Sequence, residues 1–326
     1  MTPIRFGILG AAQITTNAIL NPVRHSDRAS ITAIAARDPE RAATFARENG
    51  IEVTHPTYDA LIADPRIDAV YIPLPNSLHG RWTLAALEAG KHVLCEKPLT
   101  ANADEACAVT AAAEASDRVV MEAVHYRYHP LAMRMHEIAA SGDLGRPQHI
   151  EAVMHFSLLD RNDIRYRLDL AGGSLMDLGA YTVHIARMLG GEEPTVVSAE
   201  AQKLEPEVDG GMVAQLRFPS GHTATIDCAL WMDSPTSRVD TRLVGSDGEM
   251  FVDNPLAPQD FPHRLVVQDS EEKFTTRPTY EFQLDAFVDA IVDGAPILTP
   301  PADAVRTMAV VDDIYRAAGM HPRQPA

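Results

Sequence analysis

No apolar run in this 326-residue sequence approaches the length that spans a bilayer, and Thr2-Pro3-Ile4-Arg5 leads straight into a strand pattern. Neither a transmembrane helix nor a secretory leader is therefore expected. Cysteine is scarce: Cys95, Cys107 and Cys228 are odd in number and lack CxxC spacing. That excludes a disulfide frame and fits reduced thiols in a cytoplasm. Basic residues are in deficit, 28 Lys and Arg against 45 Asp and Glu, for a formal net charge of −17. Such a surface repels phosphate backbones and acidic lipid, so nucleic acid and membrane are not expected partners. Internal repeats and low-complexity linkers are also lacking. What is present is an ordinary globular balance, 46% hydrophobic and 22% charged, with length enough for two domains, each with its own core.

Along the first third, strand-like and helix-like segments alternate. Strands are expected at Ile4–Leu9, Ser30–Ala36, Ala69–Ile72, His92–Glu96 and Arg118–Ala123. Helices are expected at Gln13–Arg24, Pro39–Asn49, Leu78–Ala89 and Ala103–Ala115. This order implies right-handed βαβ units and a parallel sheet covered on both faces. After Val124 the pattern changes. Helices at Pro130–Ser141 and Ser174–Leu189 flank a strand at His149–Ser157. Strands at Thr195–Lys203, Met212–Phe218, Thr223–Trp231, Val239–Val244, Glu249–Val252 and Arg264–Gln268 then follow one another, and helices near Tyr280–Asp293 and Pro301–Ala318 close the chain. Consecutive strands without helices between them read as an antiparallel or mixed sheet. The expected class is α/β. Residues 1–124 form a doubly wound unit; residues 125–326 form an α+β unit with a large, mostly antiparallel open sheet for substrate and assembly, its last helix free to pack back on the first unit.

The first βα junction, Phe6-Gly7-Ile8-Leu9-Gly10-Ala11-Ala12-Gln13-Ile14-Thr15, has the parts of a dinucleotide-phosphate site. Gly10 supplies the tight turn, and Ala12 stands where a second glycine usually lets the backbone meet a pyrophosphate. Thr15 replaces the third small residue, and Gln13-Ile14 open a helix whose free N–H groups face an anion. The motif is degenerate, and an ordinary strand–turn–helix fits it as well. Its place at the head of a βαβ series favours the cofactor reading. The second strand ends Ala36-Arg37-Asp38-Pro39-Glu40-Arg41. An acid at such a strand end accepts from the ribose 2′-hydroxyl of NAD, whereas arginine meets the 2′-phosphate of NADP. Asp38 before Pro39 reads as a helix N-cap, although it is also the rival acid. Arg37, with Arg41 second, is then left for the phosphate, and NADP is expected ahead of NAD.

Three further blocks are Pro73-Leu74-Pro75-Asn76-Ser77-Leu78-His79, Ala89-Gly90-Lys91-His92-Val93-Leu94-Cys95-Glu96-Lys97-Pro98 and Gly172-Gly173-Ser174-Leu175-Met176-Asp177-Leu178-Gly179-Ala180-Tyr181-Thr182-Val183-His184. In this order they resemble the glucose–fructose oxidoreductase, inositol dehydrogenase and rhizopine catabolism (Gfo/Idh/MocA) family, over essentially the whole chain. The resemblance implies a Rossmann domain, a nicotinamide cofactor and hydride transfer to or from a sugar-like alcohol or carbonyl, with an aldose 1-dehydrogenase-like activity favoured. It also implies that Lys97 is catalytic. Lys97 follows a strand's C-terminal end, where open α/β sheets place ligands. Pro98 favours extended backbone at Lys97, and an ammonium there can stabilise charge on a reacting oxygen.

Asp177, Tyr181 and His184 are spaced i, i+4, i+7, which places them on one helix face; a solvated polar face is the plain alternative. Tyrosine at 181, where family members carry His or Tyr, resembles the glucose–fructose oxidoreductase, xylose dehydrogenase and dihydrodiol dehydrogenase branches. Tyr181 is expected to exchange the substrate proton, its pKa lowered by Lys97. Asp177 is expected to orient Lys97 or a second hydroxyl, and His184 to bind another. The nicotinamide is expected near Pro75 and Asn76, with His79 and Glu96 also at the cofactor. Arg127 and Arg167 are expected at a small polyhydroxylated substrate. His125 and His129 have helical metal-ligand spacing but no carboxylate at a useful offset, so no metal is expected. Rival readings are a dihydrodiol dehydrogenase, a carbonyl or ketose reductase, and a non-catalytic dinucleotide sensor; the presence of Lys97 and Tyr181 speaks against the sensor. A homodimer or homotetramer through the second sheet is expected, since a bare face would expose Met212, Leu216, Ile226 and Leu230.

Overall fold

A computed structural model describes residues 2–204, 207–230 and 237–326. One sheet holds β1 (Ile4–Leu9), β2 (Ala29–Ala35), β3 (Val53–His55), β4 (Ala69–Ile72), β5 (His92–Cys95) and β6 (Val120–Glu122). All six are parallel, in the order β3-β2-β1-β4-β5-β6. That is the Rossmann order, whose direction reverses between β1 and β4; ligands bind beyond the strand ends at this switch point. The central strands are apolar because both faces are covered: Phe6, Ile8, Leu9 and all of β4 are fully buried. The helices are α1 (Asn21–Arg24), α2 (Pro39–Asn49), α3 (Tyr58–Ile62), α4 (His79–Glu88) and α5 (Ala103–Glu114). β3 and α3 had no expected counterpart. Val53-Thr54-His55 is too short to show a period of two.

The second unit holds α6 (Pro130–Ser141), β7 (Pro147–His155), α7 (Ala180–Gly190), β8 (Thr195–Leu204), β9 (Val208–Arg217), β10 (Thr223–Ala229), β11 (Arg238–Gly245), β12 (Glu249–Asp253), β13 (Arg264–Val267) and β14 (Ser270–Glu272). Its eight strands run β14-β13-β12-β11-β7-β10-β9-β8. Among the described residues, only the β7–β10 pair is parallel. Trp231, the expected end of one strand, lies outside the described residues. The expected exposure of Met212, Leu216, Ile226 and Leu230 is corrected: each is at most 1% exposed. They form the inner face, packed in one core with Leu131 and Met135 of α6 and Val183 and Ile185 of α7. The alternate positions Val213, Gln215, Thr225 and Asp227 face outward. Strict alternation defines two faces but not which one the helices cover.

The last two helices join the units. Leu284, Phe287 and Val288 of α8 (Thr279–Asp293) enter the core of the first sheet with Phe6, Ile8, Ile34 and Tyr71. The Phe6 and Phe287 ring centroids are 5.8 Å apart. α9 (Pro301–Ala317) packs against α5 of the first unit and α7 of the second. Among the described residues, no helix is long and apolar enough to cross a membrane.

Candidate active site

At the end of β1, Gly10 turns the chain with φ +113° and donates its N–H to Ala35 O at 2.7 Å. A Cβ there would lie 3.0 Å from Leu74 Cδ2, and L side chains rarely adopt that φ. The N–H groups of Ala12, Gln13 and Ile14 have no hydrogen-bond partner among the described residues. The helix then opens as a π turn, Thr16–Leu20, before α1, and the Thr15 hydroxyl is buried without a partner. Free amides at a helix start together with an orphaned hydroxyl suit an anionic ligand. Asp38 caps α2, accepting from the N–H groups of Glu40 and Arg41 at 2.9 and 3.3 Å, so its carboxylate is already engaged. Arg41 Nη2 donates to Ala11 O at 2.7 Å, and Arg37 is exposed at the end of β2. Two guanidinium groups thus border the turn, and the acid that follows the strand end, Asp38, is engaged as a cap. The residues present fit a dinucleotide with a 2′-phosphate.

Loops 73–78 and 96–98 leave the neighbouring strands β4 and β5, and the Lys97–Pro98 peptide is cis. Lys97 Nζ donates to Asp177 O at 2.7 Å and to Asp177 Oδ1 at 2.8 Å. Arg165 Nε donates to the other carboxylate oxygen at 2.7 Å. Burial opposes the charge on Asp177, but Lys97 and Arg165 pull its pKa down to about 2. The same ammonium lies 4.7 Å from the centroid of the Tyr181 ring. The expected lowering of the Tyr181 pKa is corrected. Burial pushes it well above the ordinary phenol value, and Tyr280, Glu96, Asp177 and Tyr126 add to the shift. Lys97 sits over the ring, and its charge is matched by Asp177. A buried phenol here stays protonated.

The segment carrying Asp177 and Tyr181 also departs from a regular helix: Leu175–Gly179 is a π turn that continues into α7. Its entry is held from three distant elements. Asp209, fully buried on β9, accepts from Ser174 Oγ at 2.8 Å, Leu175 N at 2.7 Å, Tyr315 OH at 2.9 Å and Arg323 Nη2 at 2.7 Å. Arg323 Nε also donates to Gly172 O at 2.8 Å. Gly173 has φ +136°, and a Cβ on it would lie 2.1 Å from Asp209 Oδ1. The Gly172-Gly173 pair therefore lets the chain pass close to this acid.

Other expected contacts are redistributed. His184 is buried, with Nδ1 2.6 Å from Tyr126 OH and Nε2 3.3 Å from Asp303 Oδ2; both nitrogens face protein groups, which corrects the expected substrate contact. Arg167 is exposed and paired with Asp169 at 2.5 Å; Arg165, not Arg167, reaches the site. His79 is buried, with both ring nitrogens 2.7 Å from backbone carbonyls, so neither is left for a cofactor. Glu96 accepts from Tyr71 OH at 2.7 Å, and burial raises its pKa; it braces its loop from within. Asn76 Nδ2 donates to Ala171 O at 3.0 Å beside half-buried Pro75. Arg127 is half-buried in the turn His125–Tyr128. His125 bonds Thr279 Oγ1 at 2.8 Å and packs against the tilted Tyr280 ring at 4.2 Å, while His129 Nδ1 accepts from Leu131 N at 3.1 Å and caps α6. Sequence reasoning missed Tyr126, Asp209, Tyr280, Asp303 and Arg323, which carry no local signal. Arg165, in a loop with Arg161 and Arg167, reads from sequence as a balance to local acids rather than a substrate contact, and the structure brings it to Asp177.

Residues 4–124 match a family model described as an oxidoreductase family with an NAD-binding Rossmann fold, and residues 132–251 match the GFO/IDH/MocA C-terminal domain. The chain is 38% identical over 319 residues to D-xylose 1-dehydrogenase (NADP(+)) 2 of Haloferax volcanii, covering 96% of this chain and 97% of that protein. An aldose–aldose oxidoreductase from Caulobacter crescentus, solved with glycerol, superposes with a TM-score of 0.88 at 29% identity, covering 97% of this chain and 98% of that one. A 3-ketoreductase from Actinomadura kijaniata, solved with NADP and TDP-benzene, gives a TM-score of 0.87 at 29% identity over the same shares.

Proposed function

The chain belongs to the Gfo/Idh/MocA family and is an NAD(P)-dependent oxidoreductase; on that premise we propose an NADP-dependent aldose 1-dehydrogenase working through Lys97, Asp177 and Tyr181. The observation that carries this reading is the clasp of Lys97 by Asp177 over the Tyr181 ring. It lies beyond the C-terminal end of β5, one strand from the switch point between β1 and β4. Gly10, Ala12, Gln13 and Ile14 would hold the pyrophosphate, Arg37 and Arg41 the 2′-phosphate, and Pro75 and Asn76 would border the nicotinamide. When bound, the nicotinamide supplies or accepts the hydride at the substrate carbon.

An ammonium has three donors, and Asp177 occupies two of those of Lys97. The third is free to bond the reacting oxygen and stabilise charge on it. Tyr181 exchanges a proton with that oxygen: as the phenol that burial favours it gives the proton when a carbonyl is reduced, and oxidation of an aldose runs the same transfer in reverse, which requires that the phenol first lose its proton. Asp177 and Arg165 hold the lysine in place, and Arg127 is the remaining substrate contact. The xylose dehydrogenase and aldose–aldose oxidoreductase relatives support a polyhydroxylated substrate. A reductase reading is favoured by one observation, the phenol that burial keeps protonated, ready to donate.

The split between 1–124 for the cofactor and 125–326 for substrate and assembly belongs to the same proposal. So does a homo-oligomer through the outer face of the second sheet, supported by Val197 and Val213, 55% and 41% exposed. A cytoplasmic setting is supported by three free thiols. The test is a titration of NADP against NAD by nicotinamide fluorescence, with turnover measured over a panel of aldoses and ketoses. NADP should bind more tightly, and Tyr181→Phe should keep cofactor affinity while losing turnover by about 10²–10⁴-fold. Unchanged turnover in that variant removes Tyr181 from the mechanism.

A further inference from the structure

We infer that His79 is a positioning residue for hydride transfer: by donating from both ring nitrogens, it sets the spacing between the loop that borders the nicotinamide and the loop that carries Lys97. This role presupposes that Lys97 and loop 73–76 act as proposed above. His79 opens α4 and is completely buried. Its Nδ1 lies 2.7 Å from Pro98 O and its Nε2 lies 2.7 Å from Leu74 O. Both partners are carbonyls, which only accept. A neutral ring would press a nitrogen lone pair against one of them, whereas the imidazolium has a donor for each. Burial and the nearby Lys97 charge act against the cation, while the two carbonyls act for it. Burial, the largest effect, lowers the pKa on balance, but two contacts at 2.7 Å are both attractive only when both nitrogens donate, and that geometry carries the inference.

The bridge joins three loops into one frame. Leu74 packs against Gly10, where a Cβ would lie 3.0 Å from its Cδ2, so the β1 turn and the β4 exit move together. Pro98 is the residue after Lys97, so the second carbonyl is one residue from the ammonium's own backbone. The pyrophosphate turn, the nicotinamide loop and the lysine loop are thereby fixed relative to one another. Hydride transfer depends steeply on such spacing: a misplacement of about 1 Å costs roughly 10²-fold.

The test uses the full chain with NADP and the variants His79→Phe and His79→Gln. His79→Phe should lower kcat by roughly 10–100-fold with substrate KM and NADP affinity nearly unchanged. The isotope effect from NADPH deuterated at the transferring position should rise, and His79→Gln, which keeps a single donating nitrogen and so cannot span both carbonyls as the ring does, should fall between. Independently, ¹⁵N NMR of histidine-labelled wild type, with the ring identified by its proximity to the Pro98 protons, should show both His79 nitrogens protonated. A bare ring nitrogen overturns the inference, as does a His79→Phe enzyme that melts earlier while keeping its kcat and isotope effect. If His79→Phe does not fold, the NMR result decides alone. A silent Tyr181→Phe variant would instead strike the mechanism and leave the His79 spectrum as expected.

Discussion

Glu122, at the end of β6, is 3% exposed, and its carboxylate accepts from Leu99 N at 2.8 Å. Burial pushes its pKa up to about 7; the Leu99 N–H opposes the shift, Asp303 adds to it, and Arg187 and Lys97 oppose it. A carboxyl raised on folding binds its proton more tightly in the folded state. Its stabilisation is therefore full below about pH 4.3, the unfolded value, and is lost as pH rises through 7. Glu122→Gln, which mimics the protonated form and keeps an acceptor for Leu99, should match wild type near pH 4.5. At pH 8 it should exceed wild type by on the order of 2–3 kcal/mol. Thermal melts at the two pH values check this, and a gain independent of pH would point to repacking instead. Of the residues proposed to carry chemistry, Lys97, Asp177 and Tyr181 are legible in the sequence because strand-end position and helical spacing are local. The sign of the Tyr181 shift is not, because it depends on burial among side chains far apart in sequence. The partners of His79 and His184 are not legible for the same reason: what lies beyond each ring nitrogen comes from other elements.

The entry to α7 shows how an element can be legible while its support is not. The Gly172-Gly173 pair and the polar spacing mark a helix with a candidate site. The π turn and its clamp come from Asp209 on β9, Tyr315 on α9 and Arg323 near residue 326, which no pattern links. The Asp209–Arg323 pair is almost wholly buried, with side chains 0% and 2% exposed. Removing one partner strands a buried charge. Asp209→Ala or Arg323→Ala should each cost about 3–5 kcal/mol and should also reduce kcat, by loosening the turn that carries Asp177. The double variant should lose clearly less than the sum of the two, as coupled residues do. Urea denaturation of the three proteins measures the coupling, and strict additivity would mean that the two residues do not act together. The misjudged sheet face belongs at this scale as well. Alternation along β9 and β10 was read correctly, but only helix placement decides which side is wet.

Across the whole molecule, α8 and α9 couple the two sheets. α8 fills a face of the parallel sheet with Leu284, Phe287 and Val288, and α9 touches helices of both units. Phe287→Ala would leave a cavity against Phe6 and should cost about 3–5 kcal/mol. Because the units share these helices, the loss should appear as one earlier transition, followed together by NADP fluorescence and by circular dichroism. A variant in which cofactor binding melts separately from the second sheet would show that the units are independent. The parallel sheet itself was legible from its alternating segments. Its completion by a helix some 150 residues later was not, since an amphipathic pattern does not name its partner.

That arrangement sets a timetable for synthesis. The strands of the cofactor sheet emerge first, but the helix that seals one of their faces ends at Asp293. At about 5–20 residues per second, translation from Glu122 to Asp293 takes roughly 10–30 s. For that interval the nascent chain leaves part of the Phe6–Ile8–Tyr71 surface uncovered, and the sheet that would hold NADP is sealed only after Asp293 has been made.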